Sequence, residues 1–231
     1  MNVKKDYAIS DLYTQFGIFS NLVLQQLDIL EKIITTGELT ISAELLEVIR
    51  ENEKRLDDFE IQLGEDIIDT IVLQSPVASD LRQIMAMYQM VSNLERVGDL
   101  VINIVDSIPK IKDEVIYVQM SEVINNMLLS SILMVKKAID SFVQKDREAA
   151  IWTIKNDDII DEMNRKLIKK AITKSKLPKD TQQMLYTFIN LNSIVSTIER
   201  IADHSTNVAE STIYSIEGQD IRHTHLSKDK E

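Results

Sequence analysis

Four pairs of carboxylates in this chain are spaced by four residues: Glu53 and Asp57, Glu95 and Asp99, Asp157 and Asp161, Glu199 and Asp203. On a helix, residues four apart share a face with Cβ atoms about 5–6 Å apart, so both acids of a pair can point at one spot. Two like charges so placed repel at neutral pH unless a cation or a basic side chain lies between them. Oxygen donors gathered in this way suit a hard metal cation. The spacing alone is weak evidence, because pairs such as Glu47/Glu51 and Glu65/Asp69 also occur among the 37 acidic residues.

A register test separates the two groups. A shift of 104 residues places Val91, Ser92, Glu95, Arg96, Asp99 and Asn103 on Val195, Ser196, Glu199, Arg200, Asp203 and Asn207, all identical. Without a gap, the same shift places Glu53 and Asp57 on Asp157 and Asp161. Glu47 falls on Ile151, and Glu65 and Asp69 fall on Lys169 and Thr173, so those pairs do not repeat. The Glu95/Asp99 pair is flanked by Leu94, Val97, Val101, Ile102 and Ile104. Its carboxylates therefore border a core, where an unpaired charge is costly. The competing reading is a salt-bridge network in which Arg96, Arg200 or other basic residues neutralise the acids. Arg96 is badly placed for Glu95 in that scheme, because adjacent side chains on a helix diverge. Asn103 and Asn207 join the two arginines as candidate outer neighbours of the ligands.

Other chemistry finds little footing. Cysteine is absent, which excludes disulfides, thiolate nucleophiles and Cys-containing zinc sites. With no histidine in the first half either, an ordinary zinc site is disfavoured there and the metal stays open. The Glu-x-x-His spacing of ferritin-like di-iron bundles does not occur, and His204 directly follows Asp203, off the face of that pair. His223 and His225 lie in a polar C-terminal stretch. No glycine-rich phosphate loop, nucleophile elbow or catalytic triad is present.

The elements that must carry these acids are long helices. Among 231 residues there are only 5 glycines and 3 prolines, too few for the hairpins of a β-sandwich or barrel. Apolar spacing predicts helices over 6–36, 41–73 and 75–109, the third opening with Ser75 as cap and Pro76 in its first turn. A second set is predicted over 114–142, 148–175 and 179–216, with a break at Lys176-Leu177-Pro178. The expected architecture is all-α, two tandem three-helix bundles over 1–110 and 111–217, followed by a flexible tail over 218–231. Met85, Met87, Met90 and Trp152 are expected in the core. A net charge of -11 argues against nucleic acid and anionic membrane surfaces as direct partners. No stretch approaches the roughly 18 apolar residues of a membrane span, and the expected location is the cytoplasm.

The run Gln74-Ser75-Pro76-Val77-Ala78-Ser79-Asp80-Leu81-Arg82, with Leu94-Glu95-Arg96-Val97-Gly98-Asp99 and Asn103-Ile104, resembles the signature of the PhoU family of phosphate-transport and phosphate-starvation regulators. Ile198-Glu199-Arg200-Ile201-Ala202-Asp203 and Asn207 resemble its second copy, and Gly218-Gln219-Asp220-Ile221-Arg222-His223 its C-terminal end. The resemblance implies two similar bundles whose Glu/Asp-x-x-x-Asp motifs bind iron, zinc, manganese, magnesium or similar ions. It also implies a dimeric cytoplasmic adaptor between the ATPase of a phosphate ABC transporter and a phosphate-sensing histidine kinase, touching the membrane only through those partners. The expected function is a metal-binding negative regulator of phosphate-starvation signalling, not an enzyme. The alternatives are a metal-dependent phosphohydrolase or oxidase using the same carboxylates, and a metal-free scaffold held by ion pairs. Ala202 departs from the usual glycine of the motif, and the second half lacks the Pro-Val-Ala-x-Asp-Leu-Arg run.

Overall fold

In the computed structural model the described residues are 3–174 and 181–222. They form α1 (Val3–Thr36), α2 (Ala43–Gln74), α3 (Ser79–Ser107), α4 (Glu114–Gln144), α5 (Arg147–Lys174) and α6 (Thr181–Glu217), with a single 3-10 turn at Ile108–Lys110. The first three helices pack on one another, as do the last three, giving the two tandem bundles expected from the repeat. The bundles join through α3 against α6, the most extensive helix pairing in the chain, and through α1 against α4.

The apolar stripes set this arrangement. Leu12, Phe16, Phe19, Val23, Leu27, Leu30 and Ile34 recur at helical spacing on α1 and are all buried. Local chemistry fixes the ends. The Ser42 hydroxyl accepts from the Leu45 N–H (3.3 Å) at the start of α2, and the Asp113 carboxylate accepts from the Ile116 N–H (3.0 Å) at the start of α4. Gly37, at φ 67°, turns the chain after α1.

Three expectations need correction. Ser75 does not cap α3: it closes α2 in the left-handed region (φ 45°, ψ 57°), its N–H bonded to the Ile71 carbonyl at 3.1 Å. Pro76 disfavours right-handed helical backbone at the residue before it, so α2 ends there and α3 begins at Ser79, after Ala78 at φ 45°. Second, α4 does contain an 18-residue window apolar enough to cross a membrane by length and composition. It packs against α1, α5 and α6, so apolar residues occupy several of its faces, including buried Tyr117, Met120, Ile124, Leu128, Val135 and Phe142. Third, Met87 and Met90 are buried but Met85 is exposed, and Trp152 is only partly buried, with the Lys137 ammonium 4.7 Å from its ring centre. The Lys176-Leu177-Pro178 break, His223 and His225 lie outside the described residues. Ile221, in the stretch expected to be flexible, is buried.

Candidate metal centre

In the first bundle α2 supplies Glu53 and Asp57, and α3 supplies Glu95 and Asp99. Gly98 lets these two helices approach: a Cβ there would lie 2.8 Å from Leu56 Cδ1 and 3.1 Å from Glu53 Oε2. Glu53 is held from behind by Gln26, a fully buried α1 side chain whose amide donates to the Ile49 carbonyl (2.9 Å) and to Glu53 Oε2 (3.4 Å). Across the groove Glu53 faces Asp99, and this contact helps to raise the Glu53 carboxyl.

The local electrostatics are those of crowded acids. Burial, the hydrogen bond to Asp99 and the charges of Asp99, Asp57 and Glu95 push Glu53 up to about 8. Burial and the neighbouring Asp99 and Glu60 raise Glu95 to about 7. Asp57 is raised for the same reasons, burial first and then the charge of Asp99. One base enters this group. Arg96 donates to Asp99 Oδ2 at 2.7 Å, and its Nε lies 3.6 Å from Glu95 Oε2. The expectation that Arg96 is badly placed for Glu95 is therefore corrected. The long, flexible side chain folds back along α3 far enough to reach both acids.

The second bundle repeats the groove with different fittings. Burial and then the charges of Asp203, Asp161, Asp158 and Glu199 raise Asp157 to about 7, and its buried Oδ1 has no hydrogen-bond partner. Glu199 is raised by burial and by its contact with Asp161, while the Asn164 amide donates to it and opposes that rise. Asp203 is raised by burial and by Asp161, with Arg200 acting the other way. Asp161 has Arg165 at 3.8 Å. Each bundle thus brings its own four predicted acids into mutual range across two helices.

The outer neighbours divide. Asn207 donates to Asn93 Oδ1 (3.1 Å) across the α3–α6 contact, whereas Asn103 is exposed. Two residues were missed by reasoning from spacing four alone. Glu60 stands three residues after Asp57 on the same face of α2, and its charge reaches Glu95. Asn164 occupies the register position of Glu60 in α5; it is buried, its Oδ1 is unpartnered, and its amide engages Glu199. A search for acids at spacing three as well as four would have found Glu60, but not Asn164, which is an amide.

The donor chemistry fits a hard cation: carboxylates and an amide oxygen, three of the acids raised toward neutral pH by burial and then by one another's charge, and two buried oxygens without partners. Among the described residues no three acidic or histidine side chains are already closed around one point. That follows from the same repulsion. Like-charged acids separate or take Arg96 between them.

Comparison with known proteins gives a consistent family. The model of the PhoU domain matches twice, at residues 18–108 and 124–212. A phosphate-specific transport system accessory protein PhoU homolog from a Burkholderia species is 31% identical over 185 residues, covering 79% of this chain and 77% of the relative. Its counterpart from Aquifex aeolicus is 32% identical over 194 residues, covering 81% and 83%. The crystal structure of PhoU from Pseudomonas aeruginosa superposes with a TM-score of 0.75 at 20% identity, covering 93% of this chain and 99% of that one. The phosphate transport system regulatory protein PhoU from Streptococcus pneumoniae gives 0.74 at 22% identity, covering 94% and 98%. Duplicated three-helix bundles, a repeated acidic register and two matches to one domain model together place this chain in the PhoU family.

Proposed function

We propose that this protein is a cytoplasmic, metal-binding regulator of phosphate uptake that restrains phosphate-starvation signalling when phosphate is plentiful. The observation that carries the metal reading is the recurrence of one four-carboxylate groove in both bundles at a constant register of 104 residues. The relatives it resembles bear names of phosphate-specific transport accessory proteins, which supports the regulatory half.

Glu53, Asp57, Glu95 and Asp99 would hold a cation in the first bundle, with Glu60 beside them. Asp157, Asp161, Glu199 and Asp203 would do so in the second, with Asn164 offering a neutral oxygen. The bound ion, whether iron, zinc, manganese or magnesium, supplies positive charge that offsets carboxylate repulsion. The carboxylates then clamp α2 to α3 and α5 to α6, fixing the helix faces presented to partners. Those partners are the transporter ATPase and a phosphate-sensing histidine kinase, with the chain acting as an adaptor and as a homodimer. None of the site residues is paired as nucleophile and base, so a binding role is the better reading than catalysis.

Deletion of the gene in its host, assayed with a phosphate-starvation reporter in phosphate-rich medium, tests this. Derepression rescued by wild type but not by Asp99→Asn/Asp203→Asn is the expected result. Rescue by both removes the metal from the mechanism, and a reporter that stays silent after deletion removes the regulatory role.

A further inference from the structure

A groove of about 200 Å³ lies between α1 and α2, lined by none of the eight repeated acids. Its walls come from one stripe of each helix: Asp11 and Leu12 on α1, and Asp66, Asp69, Thr70 and Leu73, at spacings of three and four, on α2. Leu12 is buried and Leu73 is exposed, so hydrocarbon lines both the closed and the open side. Asp11 accepts from the Gln15 amide at 2.8 Å and Asp66 from the Gln62 amide at 3.1 Å, both uncharged donors. Among the described residues none of the three carboxylates has a basic group within 4 Å. Lys5, on the same helix as Asp11, is committed to Asp80 at 2.6 Å.

Three such acids alone would be a solvated face. Thr70 adds an independent feature: it is only 8% exposed, it lines the groove, and its hydroxyl makes no hydrogen bond among the described residues. Other buried helical hydroxyls here, those of Ser131, Ser141 and Thr153, return to a carbonyl three or four residues back. A buried hydroxyl without that bond is uncommon, and its lone pairs are left for a donor that enters the groove. The duplication does not repeat this set. A shift of 104 residues places Val115 at Asp11, and Lys170, Thr173 and Lys174 at Asp66, Asp69 and Thr70. The groove is therefore a property of the first bundle, separate from the acid pairs that recur in both.

We propose that this groove binds a short aliphatic diammonium ion, its charged ends held by Asp11, Asp66 and Asp69, with one end also donating to the Thr70 hydroxyl and the methylene chain lying on Leu12 and Leu73. An ammonium group brings three N–H donors, which match carboxylate and hydroxyl oxygens. The hydrocarbon walls decide against a bare metal ion, whose shell is oxygen on every side. They suit an alkyl stem with charged ends, as a lysine side chain lies on apolar surface with its ammonium free to pair. The volume holds a ligand of a few heavy atoms, below the about 300–1,000 Å³ of drug-sized pockets. The proposal does not depend on the cation reading of the repeated acids.

Titration calorimetry of the metal-stripped full chain with 1,4-diaminobutane tests this, with n-butylamine as the one-ended comparison. Wild type is expected to bind the diamine, and butylamine at least about threefold more weakly. Asp66→Asn/Asp69→Asn should lose at least about fivefold in diamine affinity. Thr70→Val should lose at least about threefold, while its Tm without diamine stays at or above that of wild type, because no hydrogen bond is removed. Glu47→Gln/Glu51→Gln, which takes the same charge from exposed positions elsewhere on α2, should bind as wild type does. Circular dichroism checks that each variant remains helical, and the exposed Asp69→Asn alone, with an expected loss of about twofold, serves if the double variant does not fold. The proposal is overturned if wild type gives no binding, or if the aspartate variants bind as wild type does. Equal affinity for butylamine and the diamine overturns it by removing the second end. An equal loss in Glu47→Gln/Glu51→Gln overturns it as well, since the diamine then responds to net charge rather than to the groove.

Discussion

Gly98→Ala is the sharpest probe of how α2 and α3 are spaced at the first groove. The added methyl would sit 2.8 Å from Leu56 Cδ1 and 3.1 Å from Glu53 Oε2. Carbon atoms pack at about 3.5–4.0 Å, so Leu56, which is fully buried, must give way by about 1 Å. Overpacking of this kind costs about 1–3 kcal/mol. Alanine's better helix propensity returns at most about 1 kcal/mol. The net expectation is a loss of about 1 kcal/mol, a fall in Tm of about 2–4 °C for a chain of this size. The second bundle shows how the methyl can be accommodated. At the register of Glu53, Leu56 and Gly98 it carries Asp157, Ile160 and Ala202, an acid shorter by one methylene and a differently branched aliphatic side chain. Grafting that set as Glu53→Asp/Leu56→Ile/Gly98→Ala should therefore recover most of the loss. Urea denaturation of wild type, the single variant and the triple variant, all in chelator, measures the coupling. A Gly98→Ala protein that is about 1 kcal/mol more stable than wild type, as propensity alone dictates, would refute the packing argument.

In chelator, stability should decline as pH rises. Glu53 is raised to about 8, and Glu95 and Asp157 to about 7, above unfolded values of 4.5, 4.5 and 3.8. The folded state therefore keeps protons that the unfolded chain releases, and the loss runs from about pH 4 to pH 8. Discounted for solvent screening of these partly exposed groups, the decline is about 1–2 kcal/mol per bundle, and excess Mn2+ should flatten it. Denaturation curves at pH 5 and pH 8 check this, and a steeper decline with Mn2+ present would contradict the cation reading. Ala78→Gly should stabilise by about 1 kcal/mol in thermal melts, because Ala78 holds φ 45° without glycine's freedom. Tyr117→Phe should leave Tm unchanged or raise it, since the buried hydroxyl has no hydrogen-bond partner to lose.

The helices and their duplication were legible in the sequence because both rest on long-range periodicity. Leu12 through Ile34 repeat at helical spacing, and six identical residues in α3 and α6 recur at one offset. The four acid pairs were legible for the same reason. What the sequence hid depends on side-chain reach and on packing between helices. Arg96 reaches Glu95 because a long side chain can fold back along its own helix, which a rule based on Cβ directions ignores. Asn164 was hidden because a neutral amide replaces an acid at the Glu60 register, so it escapes a search for carboxylates. Gln26 lies on a helix that carries none of the acids, and only the packing of α1 behind α2 brings it to Glu53. Ser75-Pro76 misled because a hydroxyl followed by proline starts helices in many chains, whereas here the proline ends the preceding one.

The central claim is that the two carboxylate grooves hold cations. Equilibrium dialysis of the full chain against Mn2+, followed by elemental analysis, tests it most directly when wild type is compared with Asp99→Asn/Asp203→Asn. The account predicts stoichiometric manganese in wild type and at most about half as much in the double variant, since one ligand is lost from each groove. Equal manganese in the two proteins, or none in wild type, would contradict it.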